Sequence, residues 1–311
     1  MKTLVLGGTG AVGTAAVEAL RERGHEALVA GRRAGAQGIV LDAATRTGLS
    51  RLAEASRWAD VVLDLSGLER AEVQRAVGTT PLVDVSASST HLEHLAMNVP
   101  HGGAVLLGAG IAPGVSTVLV RALDPAPGDE FDIGVMLGAG EAHGAAAVRW
   151  TMGLAGTPVH CAPESSPVMN LRSVRRFSSQ SGADRLFLRA DFPDDLLVGR
   201  STGAAVRSWL ALDSRIATWV LRAVGAVPAL APALSRAPHI GADAWSVTAI
   251  HRGSGRTLSA SGRGQSRATG RIAALAAERL VDRGLRGAIT MDALIEPGEL
   301  AAPEGLRLTG V

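Results

Sequence analysis

Short apolar runs alternate with stretches of helical spacing along the first 120 residues. Residues 3–6 are apolar and end in glycines, Ala15, Ala16 and Leu20 carry helical spacing until Gly24, and residues 27–30 are apolar again. The pattern predicts a strand, a turn, a helix and a second strand. Ile39-Val40-Leu41 predicts a third short strand, residues 47–55 a helix, and residues 59–67 a buried strand ending at Ser66-Gly67. Residues 81–86 and 104–107 continue the series, with a helix starting near Ser88 to Thr90 between them. Strands and helices alternating at this length imply a parallel, doubly wound α/β sheet, whose ligands lie off the carboxyl ends of the strands.

Farther along, residues 245–249 read as a strand paired with residues 256–261 across Gly253-Ser254-Gly255. Residues 268–281 read as a helix with the stripe Ile272, Leu275, Ala276 and Leu280. Between these regions, residues 216–234 are strongly apolar, with Arg222 inside and Pro228 and Pro232 interrupting. That run suits a lid over an apolar substrate, a dimer face or core. Contact with a membrane is less favoured because the prolines shorten any helix.

The first turn carries candidate chemistry. Gly8-Thr9-Gly10-Ala11-Val12-Gly13 lies between a predicted strand and a predicted helix, the context in which such a string binds a dinucleotide. Gly8 is expected to permit the tight turn, Gly10 to let backbone approach a pyrophosphate, and Gly13 to let the helix pack on the strand. The helix N-terminus then faces the phosphate charge. A site for NAD usually has an acid about 20 residues past the glycines, whereas here the second strand runs into Arg32 and Arg33. Planar guanidinium groups can take phosphate oxygens bidentately, so the expected cofactor is NADP, with Arg32 and Arg33 on its 2′-phosphate.

Composition narrows the chemistry. The 311-residue chain is long enough for two domains, and its mean hydropathy of +0.21 is high, yet it has no uncharged apolar run long enough for a membrane span. It is strand-like from the start, with no secretory leader pattern, so the cytoplasm is the expected compartment. A formal net charge of +2 is no nucleic-acid footprint. Lys2 is the only lysine and tyrosine is absent, which disfavours the Tyr–Lys proton transfer of short-chain dehydrogenases. The single cysteine, Cys161, excludes an internal disulfide and is expected to be a small buried apolar residue.

A GGTGxVG opening, the strand end Val83-Asp84-Val85-Ser86, and the turn Gly110-Ile111-Ala112-Pro113-Gly114-Val115-Ser116 entering a helix together resemble the saccharopine dehydrogenase and saccharopine reductase superfamily. The late stretch Gly287-Ala288-Ile289-Thr290 resembles that family's C-terminal region. The likeness is good over the first 120 residues, fair over the last 65, and poor between. It implies a Rossmann-type domain (residues 1–122 with 268–311) interrupted by an inserted α+β substrate and dimerisation domain (residues 123–267). By position, Gly8 to Gly13 would bind pyrophosphate, Asp42 would lie near adenine, and Ser66 with Gly67 would meet the nicotinamide-side ribose. Ser86 and the turn from Gly110 to Ser116 would line the nicotinamide end. The implied activity is NADP-dependent reduction of an imine on an amino-acid-derived or natural-product intermediate. An enoyl reductase for a lipid or polyketide intermediate and a non-catalytic NADP-binding sensor are the alternatives. A small-molecule substrate and a homodimer are the expected partners, with no nucleic acid and no membrane.

Candidate catalytic groups are few. Histidine titrates near neutrality, and His143, in a glycine-flanked loop, is the first candidate proton donor. His91 and His94 sit at helical spacing with His101 nearby, but an exposed helix face is the preferred reading over a zinc site. Arg149, Arg172, Arg175 and Arg176 could hold a substrate carboxylate. Trp150, Trp209, Trp219 and Trp245 could line an apolar pocket or simply fill core.

Overall fold

Leu4, Val5 and Leu6 are buried to 2% exposure or less, and the strand that holds them is an inner strand of the first sheet. The computed structural model describes residues 1–35, 38–140, 145–178, 184–234, 241–301 and 306–310. In chain order, β1 (Lys2–Leu6), α1 (Ala11–Glu22), β2 (Glu26–Gly31), β3 (Ile39–Val40), α2 (Arg46–Ser56) and β4 (Val61–Asp64) are followed by α3 (Ala71–Val77), β5 (Leu82–Asp84), α4 (Ser89–Met97) and β6 (Ala104–Leu107). With the later β13 (Gly287–Thr290), these strands form a sheet in the order β13-β6-β5-β4-β1-β2-β3. Every pairing in it is parallel. The strand order reverses between β1 and β4, which opens a crevice at their carboxyl ends.

The second half begins with α5 (Val115–Ala122), β7 (Glu130–Leu137), α6 (Ala145–Gly153), β8 (Val174–Ser178), β9 (Asp184–Arg189) and β10 (Ala205–Leu212). After helix Arg215–Ala226 come β11 (Ala244–His251), β12 (Thr257–Arg263), helix Gln265–Arg283, β13 (Gly287–Thr290) and β14 (Arg307–Gly310). Here the sheet order is β14-β12-β11-β7-β10-β9-β8. Only β7 and β10 pair in parallel; the other neighbours are antiparallel. The chain thus forms two units, Met1–Val115 with Ser266–Glu304, and Ser116–Gln265 with Gly305–Val311. The sequence reading placed residues 268–311 wholly with the first domain. Strand β14 instead hydrogen-bonds to β12, which puts the chain end in the second unit.

The second sheet is held at its centre by a buried acid. Asp132 on β7 is fully buried and accepts from Trp209 Nε1 at 2.8 Å, while Arg252 reaches both its carboxylate oxygens at 2.6 and 2.8 Å and Arg175 lies at 2.8 Å. Three donors replace the water that burial removes, which a buried carboxylate requires. Next to it, Phe177, Phe187, Trp209 and Ala211 pack with Met136 and Ile250. The four tryptophans of the middle region do not share one pocket. Trp209 serves Asp132, Trp245 is buried under β11, Trp150 packs on Phe192 at 4.8 Å, and Trp219 is exposed. Cys161 is half-buried rather than buried, with the Arg200 guanidinium 2.9 Å from its sulfur.

The apolar run 216–234 is not core throughout. Ser214 caps helix Arg215–Ala226, and Pro228 then opens a separate short turn. Thr218, Leu221, Val224 and Gly225 are buried on the side packed against β9 and β10, while Ile216, Trp219 and Val220 face solvent. Among the described residues, no helix is long and apolar enough to cross a membrane.

Because Asp132 collects two arginines and an indole, Asp132→Ala is expected to lower the unfolding free energy by about 3 kcal/mol. Urea denaturation followed by tryptophan fluorescence checks this, and a loss within error of zero would show that the cluster is replaceable by water.

Candidate functional site

The turn after β1 is built by two close approaches. Gly7 has φ +80°, and a Cβ there would lie 2.6 Å from the Leu65 carbonyl oxygen at the end of β4. A side chain at Gly13 would overlap the Gly7 carbonyl and sit 2.6 Å from Gly8 Cα, so only glycine lets α1 rest on the loop. The left-handed residue of the turn is therefore Gly7, not Gly8 as the sequence suggested. Gly8 instead makes room for Val29 of β2, whose side chain a Cβ would meet at 2.9 Å. Gly7 N donates to Ala30 O at 2.8 Å and Gly10 N to Gly7 O at 3.0 Å, which fixes the loop against β2.

This turn presents the N-terminus of α1 without a side-chain cap or an acid in its first turn. By contrast, Thr45 caps α2, Ser88 caps α4 and Ser214 caps helix Arg215–Ala226. Thr9, Gly10 and Ala11 are exposed and Val12 is half-buried. Backbone N–H groups left open at a helix start attract an anion. At the end of neighbouring β2, Arg32 and Arg33 are exposed, and neither has a partner among the described residues. Asp42 lies past β3, one strand farther out, where its carboxylate accepts from Ala44 N at 3.0 Å and its carbonyl from Thr45. It shapes the turn into α2.

Across the switch point, β4 and β5 end in the same device. Asp64 and Asp84 are register partners, both buried. Asp64 accepts from Ser66 N at 2.9 Å and Ser66 Oγ at 2.6 Å, and Ser66 Oγ accepts from Leu68 N at 3.2 Å. Asp84 accepts from Ser86 N at 2.7 Å, and Ser86 Oγ accepts from Ser88 N at 3.1 Å while donating to Glu69 at 2.7 Å. Each Asp-x-Ser stops its strand and turns the chain over the crevice. Gly67 follows with φ +65°. Ala109 N donates to Asp84 O at 2.8 Å, bringing the turn at Gly110 to the same edge. Ser116, expected beside the nicotinamide, is fully buried and donates to Asp194 at 2.5 Å.

His91 is not on an exposed face. It is 9% exposed, with Nε2 3.4 Å from Asp84 Oδ2, whereas His94 is exposed. Burial disfavours its charge, but the hydrogen bond and charge of Asp84, with Glu69 and Asp64 behind, prevail and raise its pKa. Burial and the neighbouring Asp84 charge push the Asp64 carboxyl up to about 6, against the pull of Ser66. The sequence reading missed this triad, although Asp-x-Ser recurs twenty residues apart at Asp64 and Asp84 and could have signalled it.

The arginine cluster also divides. Arg175 pairs with Asp132, Arg172 donates to Gly225 O at 3.4 Å, and Arg149 is exposed. They do not converge on one carboxylate. His143 lies outside the described residues.

The chain matches an apo, histidine-tagged saccharopine dehydrogenase (L-Glu forming) from Saccharomyces cerevisiae with a TM-score of 0.60 and 14% identity, covering 100% of this chain and 99% of that one. It has the saccharopine dehydrogenase fold. A meso-dapdh mutant from Clostridium tetani E88 with DAP (TM-score 0.49, 12% identity, 97% and 96% covered) and a dipicolinate-bound dihydrodipicolinate reductase from Paenisporosarcina sp. TG-14 (0.36, 12%, 93% and 97%) are more distant. No protein-family model matches the chain, and no curated protein sequence does. Within the saccharopine dehydrogenase fold, the uncapped α1, Arg32 and Arg33, and the paired Asp-x-Ser turns all lie at carboxyl ends of first-sheet strands.

A carboxyl whose pKa is higher folded than unfolded binds its proton more tightly when folded. The contribution of Asp64 to stability is thus full at low pH and declines as pH rises from its ordinary 3.8 to about 6. The stability difference, wild type minus Asp64→Asn, should fall across that window in urea titrations at stepped pH. Parallel profiles for the two proteins would contradict it.

Proposed function

We propose that the chain is an NADP-dependent oxidoreductase that reduces the C=N bond of an amino-acid-derived or natural-product imine. The observation that carries the cofactor is the uncapped, acid-free start of α1 beside two arginines at the end of β2 that have no partner among the described residues. These groups fit a dinucleotide: open N–H groups for a pyrophosphate and two guanidinium groups for a 2′-phosphate. Gly8, Thr9, Gly10, Ala11, Val12 and Gly13 would hold the first, and Arg32 and Arg33 the second. Asp42 would flank the adenine end, with Ser66, Gly67 and Ser86 toward the nicotinamide. When bound, the nicotinamide supplies the hydride.

What the chain adds is position and field. Asp64 holds both the hydroxyl and the backbone N–H of Ser66, while Asp84 holds the Ser86 N–H and Glu69 its hydroxyl, so the two turns over the crevice are held before ligand arrives. Asp64, Asp84 and Glu69 outnumber His91 at this edge, a field that favours a protonated imine over a neutral enone. A protonated imine needs no strong side-chain acid, which suits a chain without tyrosine. His143 is the proposed donor where a proton is required. The helix of the apolar run that suited a lid over an apolar substrate packs one side on β9 and β10 and turns the other to solvent, so it lends an enone no support.

Calorimetric titration tests the reading. NADPH should bind wild type more tightly than NADH does, and the double substitution Arg32→Ala, Arg33→Ala should weaken NADPH at least tenfold while leaving NADH within about twofold. Equal loss for both dinucleotides would remove the 2′-phosphate assignment, and binding of neither would remove the dinucleotide site. With NADPH bound, turnover of cyclic imines and none of enones is expected; the reverse preference would overturn the imine assignment.

A further inference from the structure

The second unit carries a surface that the proposed reaction does not use. A cleft of about 530 Å³ lies between β8, β9 and helix Arg215–Ala226, lined by Arg175, Arg176, Arg185, Arg215, Arg222 and Trp219, with Asp184 the only acid among the described lining residues. Arg176, Arg185, Arg215 and Arg222 form no ion pair among the described residues. Arg185 reaches the carbonyls of Leu212 and Asp213, Arg215 that of Asp184, and Arg222 stacks over Trp219 at 4.9 Å. Among the described residues, Arg175 pairs with Asp132 while the other four arginines have no carboxylate partner.

Beside this cleft runs an apolar stripe. Ile216, Trp219, Val220 and Ala223 occupy i, i+3, i+4 and i+7 of the helix, opposite its buried side, with Ile216 77% and Trp219 57% exposed. Val227 and Leu230 extend it. Of the eight large apolar residues exposed among the described ones, six gather here, counting Val174 at the cleft edge. Chance scatter of surface apolar residues does not concentrate them so.

We infer that this face docks on an anionic membrane surface. The helix has the required pattern: Trp, Ile and Val on an outward stripe, and cations Arg215 and Arg222 along its border with no acid on the helix. Arginine heads reach lipid phosphates while the indole and aliphatic groups enter the headgroup boundary. A second copy of the chain is a poorer occupant. Two-fold pairing of this face would set the Arg215 and Arg222 rims against each other, and six side chains fall short of the roughly 20 residues a side that a stable interface uses. A free anion would leave the stripe without a role. The sequence led to the expectation of no membrane partner, with membrane contact disfavoured because the prolines shorten any helix; the helix Arg215–Ala226 is complete before Pro228.

The test is co-sedimentation of the full chain with vesicles of phosphatidylcholine alone and of phosphatidylcholine mixed with phosphatidylglycerol. The chain should pellet with the mixed vesicles only, and release as salt is raised. Arg176→Gln with Arg222→Gln should weaken partition about 25-fold, at roughly fivefold per arginine. Trp219→Ser should weaken it as well, and both variants should keep the wild-type melting temperature, since Arg176 and Trp219 are exposed and Arg222 is half-buried with no carboxylate partner among the described residues. Failure to pellet, equal binding to neutral vesicles, or undiminished binding by the variants would each overturn the inference. So would displacement by millimolar inorganic phosphate, which would mark a free-anion site, or a dimer in ultracentrifugation that Trp219→Ser dissolves.

Discussion

Everything at the carboxyl edge of the first sheet depends on how closely α1 approaches the loop after β1. With no side chain at Gly13, the helix start sits directly on the Gly7 and Gly8 backbone, and its open N–H groups point over the strand ends. One methyl group would push the helix outward and carry the dipole's positive end with it. Gly7 applies the same constraint on the other side, since its left-handed turn lets β1 lie against Leu65 and Ser66. The start of α1 and the β4 turn are thus one packing solution.

Opposite this positive helix start stands a negative pair. Asp64 and Asp84 could have been placed in water, yet each is buried beneath its own serine turn. Desolvation works against two adjacent carboxylates, and the rise of Asp64 to about 6 reflects that. What the arrangement supplies is rigidity: both turns are tied to the sheet by side chains that have no freedom left. His91 offsets part of the charge from below. The fold therefore sets a positive helix start and a negative pair of strand ends on either side of the switch point, the polarity on which the proposed function rests.

Much of the first unit was legible because its signals are local. Glycine spacing, strand-helix alternation and the Ser88 start of α4 all depend on residues within a few positions of one another. The second unit was poorly legible for the opposite reason. Its central parallel pair, β7 with β10, joins residues some 75 apart, and Asp132 recruits Arg252 from 120 residues away. No periodicity announces such pairings. His91 was misread because its helix shows an ordinary amphipathic face, and only the position of β5 reveals that Asp84 lies behind it. The arginines near residue 175 were a visible cluster, but the sequence could not say that one of them turns inward to Asp132 while its neighbour stays outside.

The returning strand β14 has a consequence for the architecture as a unit of inheritance. After the first unit is complete, the chain comes back to lay Arg307–Gly310 along β12. Without that cover, β12 would present a bare row of amide and carbonyl groups, the kind of edge that recruits foreign strands. The second sheet therefore cannot be lifted out as one continuous segment: its last strand is encoded on the far side of the first unit. Recombination that exchanges only the central segment would leave a sheet whose border is supplied by another parent, so the two units are constrained to be inherited together.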